Sequence, residues 1–149
     1  MLSSIKYEGL GADKCIDGIT DGPDMCHTNY DEAPWIALDF GEDLTVSVHK
    51  DFLYNRADAG RPDLAGRTRN VTIRLSDELP TSATSMFTGG HLLGTFAGPG
   101  TPGEQIEISA GPGWSMKIGR YLIVQMDNGH NAPLNLNEVA AFGSEGKKL

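Results

Sequence analysis

The stretch Gly119-Arg120-Tyr121-Leu122-Ile123-Val124-Gln125-Met126 is apolar on both of its alternating faces for most of its length. A strand of that kind is covered from both sides, so Tyr121–Met126 reads as the central strand of a sheet. Working outward, other segments alternate with a period of two, the pattern of half-buried strands. Val71, Ile73 and Leu75 interleave with Thr72, Arg74 and Ser76, and Ile106 and Ile108 bracket Glu107. Leu44, Val46 and Val48 alternate with Thr45, Ser47 and His49, in a strand read as continuing to residue 54. Pro34-Trp35-Ile36-Ala37-Leu38-Asp39-Phe40 forms another strand that stops at Gly41. Leu134 to Phe142 reads as a last strand, closing a sheet near the chain start.

Glycine and proline punctuate these runs, as at Gly22-Pro23, Gly89-Gly90, Gly98-Pro99-Gly100, Pro102-Gly103 and Gly111-Pro112-Gly113. Together the 19 Gly and 8 Pro make up about 18% of the chain, against roughly 12% in average usage. Around eight strands joined by long loops predict an all-β fold: an antiparallel β-sandwich, an eight-stranded jelly roll. The 149 residues suit one domain, and no repeat or composition step divides them. The domain is expected over 1–143, with 144–149 as a flexible tail.

Twelve Lys and Arg against twenty Asp and Glu leave a net charge of −8. That balance argues against a nucleic-acid surface and against docking on anionic lipid. No apolar run is long enough for membrane insertion. The start, Met1 to Tyr7, lacks the apolar core of a signal peptide, so the protein is either cytosolic or secreted with its signal removed.

The charges are unevenly placed. Five of the six arginines fall within 19 residues: Arg56, Arg61, Arg67 and Arg69 in the loop between one strand and the next, interleaved with Asp58 and Asp63, and Arg74 in the strand that follows. Planar guanidinium forks with an aspartate to fix them can hold adjacent sugar hydroxyls; the plainer reading is a solvated loop of weak ion pairs. Residues 1–32 carry seven carboxylates against two lysines. The segment Cys15-Ile16-Asp17-Gly18-Ile19-Thr20-Asp21-Gly22-Pro23-Asp24 suits Ca²⁺, which takes carboxylate and backbone oxygens, or else a string of Asx turns. Cys15 and Cys26 enclose it as a disulfide or as two thiols. Of the histidines, His27 follows that loop directly, His49 reads as a surface strand residue, and His91 and His130 fall in Gly/Asn-rich loops. Zinc, nucleophile-elbow, phosphate-loop and dinucleotide motifs are absent.

Ser3-Ser4, Tyr7, Cys15-Ile16-Asp17-Gly18, His27-Thr28, Pro34 to Gly41 and Gly119-Arg120-Tyr121 resemble a discoidin-like (F5/8 type C) sandwich. More narrowly, residues 3–143 resemble the F-type lectins, or fucolectins, through His27, then Arg56-Ala57-Asp58, then a further basic residue. The resemblance implies a non-catalytic lectin for terminal L-fucose on glycans. His27, Arg56 and Arg67 would bond the sugar's hydroxyls and ring oxygen, and Asp58 would orient the arginines. Tyr7, Pro23 and Met25 are candidates for packing on its methyl group. It also implies a structural Ca²⁺ held by Asp17 and Glu138 with backbone oxygens of Lys14, Ile19, Asp24 and Asn137.

The chain departs from the family pattern at three places. Ala59-Gly60 stands where members often carry adjacent cysteines. The stretch from Asp58 to Arg67 is long, so Arg61 competes with Arg67 for the second basic role. The loop from Asp17 to His27 is short, and Asn137 replaces the family cysteine beside Glu138, which favours a Cys15–Cys26 bridge. A secreted or extracellular protein is expected, as a homo-oligomer or as part of a multidomain protein, since one weak sugar site gains from multivalency. The alternative is a discoidin-like adhesion module for another glycan, a protein or a lipid.

Overall fold

A computed structural model describes residues 1–42, 46–58, 60–109, 117–127, 129, 132–143 and 145–149. Eight strands lie among them: β1 (Cys26–His27), β2 (Trp35–Asp39), β3 (Lys50–Asn55), β4 (Val71–Ser76), β5 (His91–Phe96), β6 (Gln105–Ser109), β7 (Tyr121–Met126) and β8 (Asn135–Phe142). They form two four-stranded sheets, ordered β1-β8-β3-β6 and β2-β7-β4-β5, with every pairing antiparallel. The fold is the expected all-β sandwich.

β7 is central, between β2 and β4, and all six of its residues are buried. Leu122, Val124 and Met126 join Ile36, Leu53, Ile73, Leu75 and Leu136 in the core between the sheets. On its other face Tyr121 and Ile123 pack with Ala37, Trp35, Leu79 and Phe87. Gln125 shares that covered face. Its Nε2 donates to the Ala33 and Ser85 carbonyls at 3.0 and 3.1 Å, and its Oε1 accepts from the Phe87 N–H at 2.7 Å. A buried amide with its groups paired costs little and ties the 79–87 loop over the sheet. Arg120, just before β7, forms a two-pronged pair with Asp39 at the end of β2, which holds the Asp39 carboxyl down at about 2.

Several boundaries differ from the sequence reading. The strand expected over 44–54 is β3, from Lys50 to Asn55; Val46 makes only an isolated bridge to Gly119, and Leu44 and Thr45 lie outside the described residues. His49 is exposed, at a bend just before that strand, and His91 opens β5 rather than sitting in a loop. His130 lies outside the described residues. The arginine-bearing connection contains one helical turn, α1 (Pro62–Ala65), started by a proline whose missing N–H costs nothing at that position.

The first ten residues run alongside the sandwich. Leu2 bridges Ile36, the Ser3 N–H donates to the Trp35 carbonyl at 2.9 Å, and the Lys6 N–H donates to His27 O at 3.2 Å. At the other end Phe142 bridges Lys148, and the Leu149 N–H donates to Ala141 O at 2.9 Å. Residues 148–149 of the expected tail are thus bonded back onto β8. No helix among the described residues is long and apolar enough to cross a membrane.

Candidate functional site

At one end of the sandwich the acidic loop, the N-terminal segment and the arginine-bearing connection meet around a cavity of about 290 Å³. His27, Arg56, Arg61 and Arg67 all line it, as do Tyr7, Pro23 and Met25. The volume lies at the small end of ordinary ligand sites, roughly 300–1,000 Å³, and suits one sugar ring. A larger cavity, about 610 Å³, lies by the chain ends, between Met1, Leu38, Phe40 and Leu149. It is walled mainly by apolar groups and gathers no comparable set of donors.

His27 is 4% exposed, in the short strand β1. Its Nδ1 sits 2.7 Å from the Thr28 carbonyl oxygen, which can only accept, so Nδ1 carries the proton. Burial pushes the imidazole below its ordinary 6.5; the charges of Arg56, Lys6 and Arg67 push the same way, against the pull of the Thr28 carbonyl. The ring is therefore neutral at pH 7, and Nε2 is an acceptor. Tyr7 stands edge-on to the ring, centroids 5.6 Å apart.

Arg56 follows β3 directly. Its Nη2 donates to Asp58 Oδ2 at 2.7 Å, and its Nε is buried with no hydrogen-bond partner among the described residues. Asp58 is held below the usual carboxylate range, chiefly by Arg56, and its Oδ1 also accepts from the Gly60 N–H at 3.0 Å. Asn55 anchors this whole connection. Fully buried, it donates to the Ala65 and Thr101 carbonyls at 3.1 and 2.8 Å and accepts from Thr68 Oγ1 at 2.7 Å.

The two candidates for the second basic residue differ in their commitments. Both prongs of Arg61 are engaged with Asp63, at 3.1 and 3.0 Å, in a pair more than half exposed. Arg67, just past α1, has no ion pair among the described residues. Asp58 braces Arg56 but makes no hydrogen bond to Arg67.

The residues suggested for Ca²⁺ also come together. Cys15 and Cys26 are disulfide-bonded, Cα atoms 5.2 Å apart, closing the loop at its base. Asp17 Oδ1 accepts from the Ile19 N–H at 2.9 Å, with Lys14 Nζ 3.8 Å from Oδ2. Glu138 is 1% exposed, and its oxygens accept from the Gly18 N–H at 3.1 Å and from Lys148 Nζ at 3.0 Å. Asn137 Nδ2 donates to Asp24 O at 2.6 Å and to Gly22 O at 3.2 Å. No group of three or more His, Cys, Asp or Glu side chains placed to hold a metal occurs among the described residues. Two carboxylates and the loop's backbone carbonyls are donor types that a hard cation takes, and Lys14 and Lys148 stand beside Asp17 and Glu138 as the charges it would have to displace.

Sequence reasoning missed Lys6 and Tyr30, which also line the cavity. Lys6 is brought there by main-chain bonding of the N-terminal segment to β1, for which side-chain spacing holds no cue.

No family model matches the chain, and no curated protein does. Solved structures do. The lectin domain of lectinolysin, complexed with Lewis B antigen, superposes with a TM-score of 0.70 at 28% identity, covering 97% of this chain and 91% of that one. The fucolectin from striped bass (Morone saxatilis) serum gives 0.72 at 22%, over 97% of this chain and 45% of that one. A chitosan-binding module from Paenibacillus sp. IK-5 gives 0.66 at 20%, over 96% and 92%. The chain has the discoidin-like β-sandwich fold of the F-type lectins and related carbohydrate-binding modules.

Proposed function

We propose that the protein is a non-catalytic lectin that takes terminal L-fucose of glycans in the cavity of His27, Arg56 and Arg67. The observation that carries this is the convergence, in a space the size of one sugar, of a neutral imidazole acceptor and two guanidinium donors. Sugar hydroxyls donate and accept at once, so a fixed acceptor between fixed charged donors reads their geometry. Arg56, braced by Asp58, and Arg67 donate to hydroxyl and ring oxygens; His27 Nε2 accepts from one hydroxyl. The methyl group that distinguishes fucose packs on Tyr7, Pro23 and Met25. Arg61, tied to Asp63, stands at the rim. Glycoside hydrolysis asks for a pair of carboxylates across the ligand, whereas the described lining offers cations, a histidine and apolar groups.

Asp17 and Glu138, with carbonyls of Lys14, Ile19, Asp24 and Asn137, would hold Ca²⁺, whose positive charge would stiffen the acidic loop. The disulfide supports a secreted or extracellular setting. That the same fold serves a chitosan-binding module keeps another glycan as the alternative, yet a cationic cavity repels the ammonium groups of chitosan. Glycan-array binding in calcium buffer, followed by titration of L-fucose into the protein and into Arg56→Ala, tests the reading. Fucosylated glycans are expected to dominate, and Arg56→Ala to abolish binding at an unchanged melting temperature. Absence of any fucosylated ligand refutes it.

A further inference from the structure

The cavity's charge runs against that of the molecule. In a protein of net charge −8, the described lining holds four cations, Lys6, Arg56, Arg61 and Arg67, and no carboxylate. Asp58 and Asp63 pair with Arg56 and Arg61 from outside the lining. Lys6 and Arg67 have no ion pair among the described residues. They face the same ring: Lys6 Nζ lies 3.6 Å from the Tyr30 ring centroid, and the Tyr30 phenol is held below its ordinary 10.0 chiefly by Lys6, with Arg67 contributing. A neutral sugar uses donors and acceptors but brings no anion to two cations whose described partner is an aromatic phenol and not a carboxylate. The cations line the cavity itself, and the cavity holds about one ring, so an anionic group carried by the bound residue would lie within reach of both.

We infer that the ligand is a fucose bearing an ester sulfate, its oxyanion seated between Lys6 and Arg67 beside Tyr30. This rests on the fucose reading above and specifies its ligand. The protein's overall negative charge does not forbid it, because charges beyond a Debye length of about 8–10 Å are screened at physiological salt, whereas direct contacts of a few ångströms keep most of their strength until the salt is raised further.

The test is calorimetric titration of methyl α-L-fucoside, its 2-, 3- and 4-sulfates, galactose sulfates and inorganic sulfate. At least one fucose sulfate should bind roughly tenfold tighter than the neutral fucoside, the scale of one close charge contact. That ratio should fall toward one in 0.5 M NaCl and in Lys6→Gln, and return in Lys6→Arg. Equal binding of neutral and sulfated fucosides overturns the sulfate inference and leaves the fucose reading standing. Binding of inorganic sulfate or galactose sulfates as tight as that of fucose sulfates, or no binding of any fucoside, overturns both.

Discussion

Asp51 occupies a place where a carboxylate is expensive. It lies on β3, opposite Ala141 of β8 and Ile108 of β6, on the same inward face as Leu53 and Asn55. It is 1% exposed, and its Oδ2 has no hydrogen-bond partner among the described residues. Burial alone raises its pKa from 3.8 to about 7. Between those two values the folded protein holds a proton that the unfolded chain has released, so stability falls as pH rises. At 1.36 kcal/mol per pH unit, a gap of roughly three units costs on the order of 4 kcal/mol at pH 7 and above, and nothing below pH 4. Asp51→Asn keeps the shape and removes the ionisation, while burying an amide whose own unmet bonds cost about 1–3 kcal/mol. The variant should match or fall below the parent at pH 4.5 and exceed it at pH 8, with the difference between the two growing by about 3 kcal/mol, since some of the cost is already present at pH 4.5. For a chain of this length 1 kcal/mol moves the melting point by about 2–4 °C, so the effect is within reach of a thermal scan. Urea unfolding of both proteins at pH 4.5, 6, 7 and 8 measures it. Parallel stability–pH curves would mean that Asp51 is solvated or paired in solution, and the reasoning would fail.

Three further outcomes are expected. Arg67→Ala should weaken L-fucose binding more than tenfold by calorimetry while Arg61→Ala stays within about threefold, because Arg61 is committed to Asp63; the reverse order would make Arg61 the ligand. Fucose affinity should be flat from pH 8 to 6.5 and decline only below, where protonation turns His27 Nε2 from acceptor to donor; a decline centred at or above 6.5 would contradict the lowered pKa. Saturating Ca²⁺ should raise the melting temperature of chelator-treated protein by about 5–10 °C, the effect of a ligand near a hundred times its Kd, and should not do so in Glu138→Gln. Equal melting curves with and without calcium would remove the metal.

Most of the sandwich was legible because burial writes a period of two into β4 and β6 and a doubly covered run into β7. β1 and β5 were not. Two residues, Cys26 and His27, are too few to show a period, and β5 is an edge strand with Leu92 exposed and Gly94 in its middle. That glycine is required by packing, since a Cβ there would lie 2.5 Å from Ile108 Cγ2. The arginines of the site were legible because they cluster in sequence. Lys6 and Tyr30 were not, because the N-terminal segment reaches the cavity through main-chain bonds such as Lys6 N–H to His27 O, which any side chain would permit. Arg61 and Arg67 could not be separated by spacing; Asp63, two residues from Arg61, makes the distinction only once α1 sets its direction.

The two oppositely charged loops meet at one side chain. β3 and β8 pair in register from Lys50–Phe142 to Tyr54–Glu138, then slip, so that Asn55 faces Leu136 and Asn137 falls out of the ladder. A bulge of this kind frees a residue to bond elsewhere. Asn137 is fully buried; its Oδ1 accepts from the Ala57 N–H at 2.8 Å, and its Nδ2 donates to Gly22 and Asp24. One amide thus fastens the acidic loop to the residue between Arg56 and Asp58. Movement of the loop would pull on the arginine, which is how a cation at Glu138 could act on a sugar it never touches. The same amide, with the disulfide at the loop's base, makes the fastening without any metal. Ca²⁺ should therefore change stability, where it offsets the carboxylate charge of Glu138, more than it changes sugar affinity, where Asn137 already holds Arg56 in place.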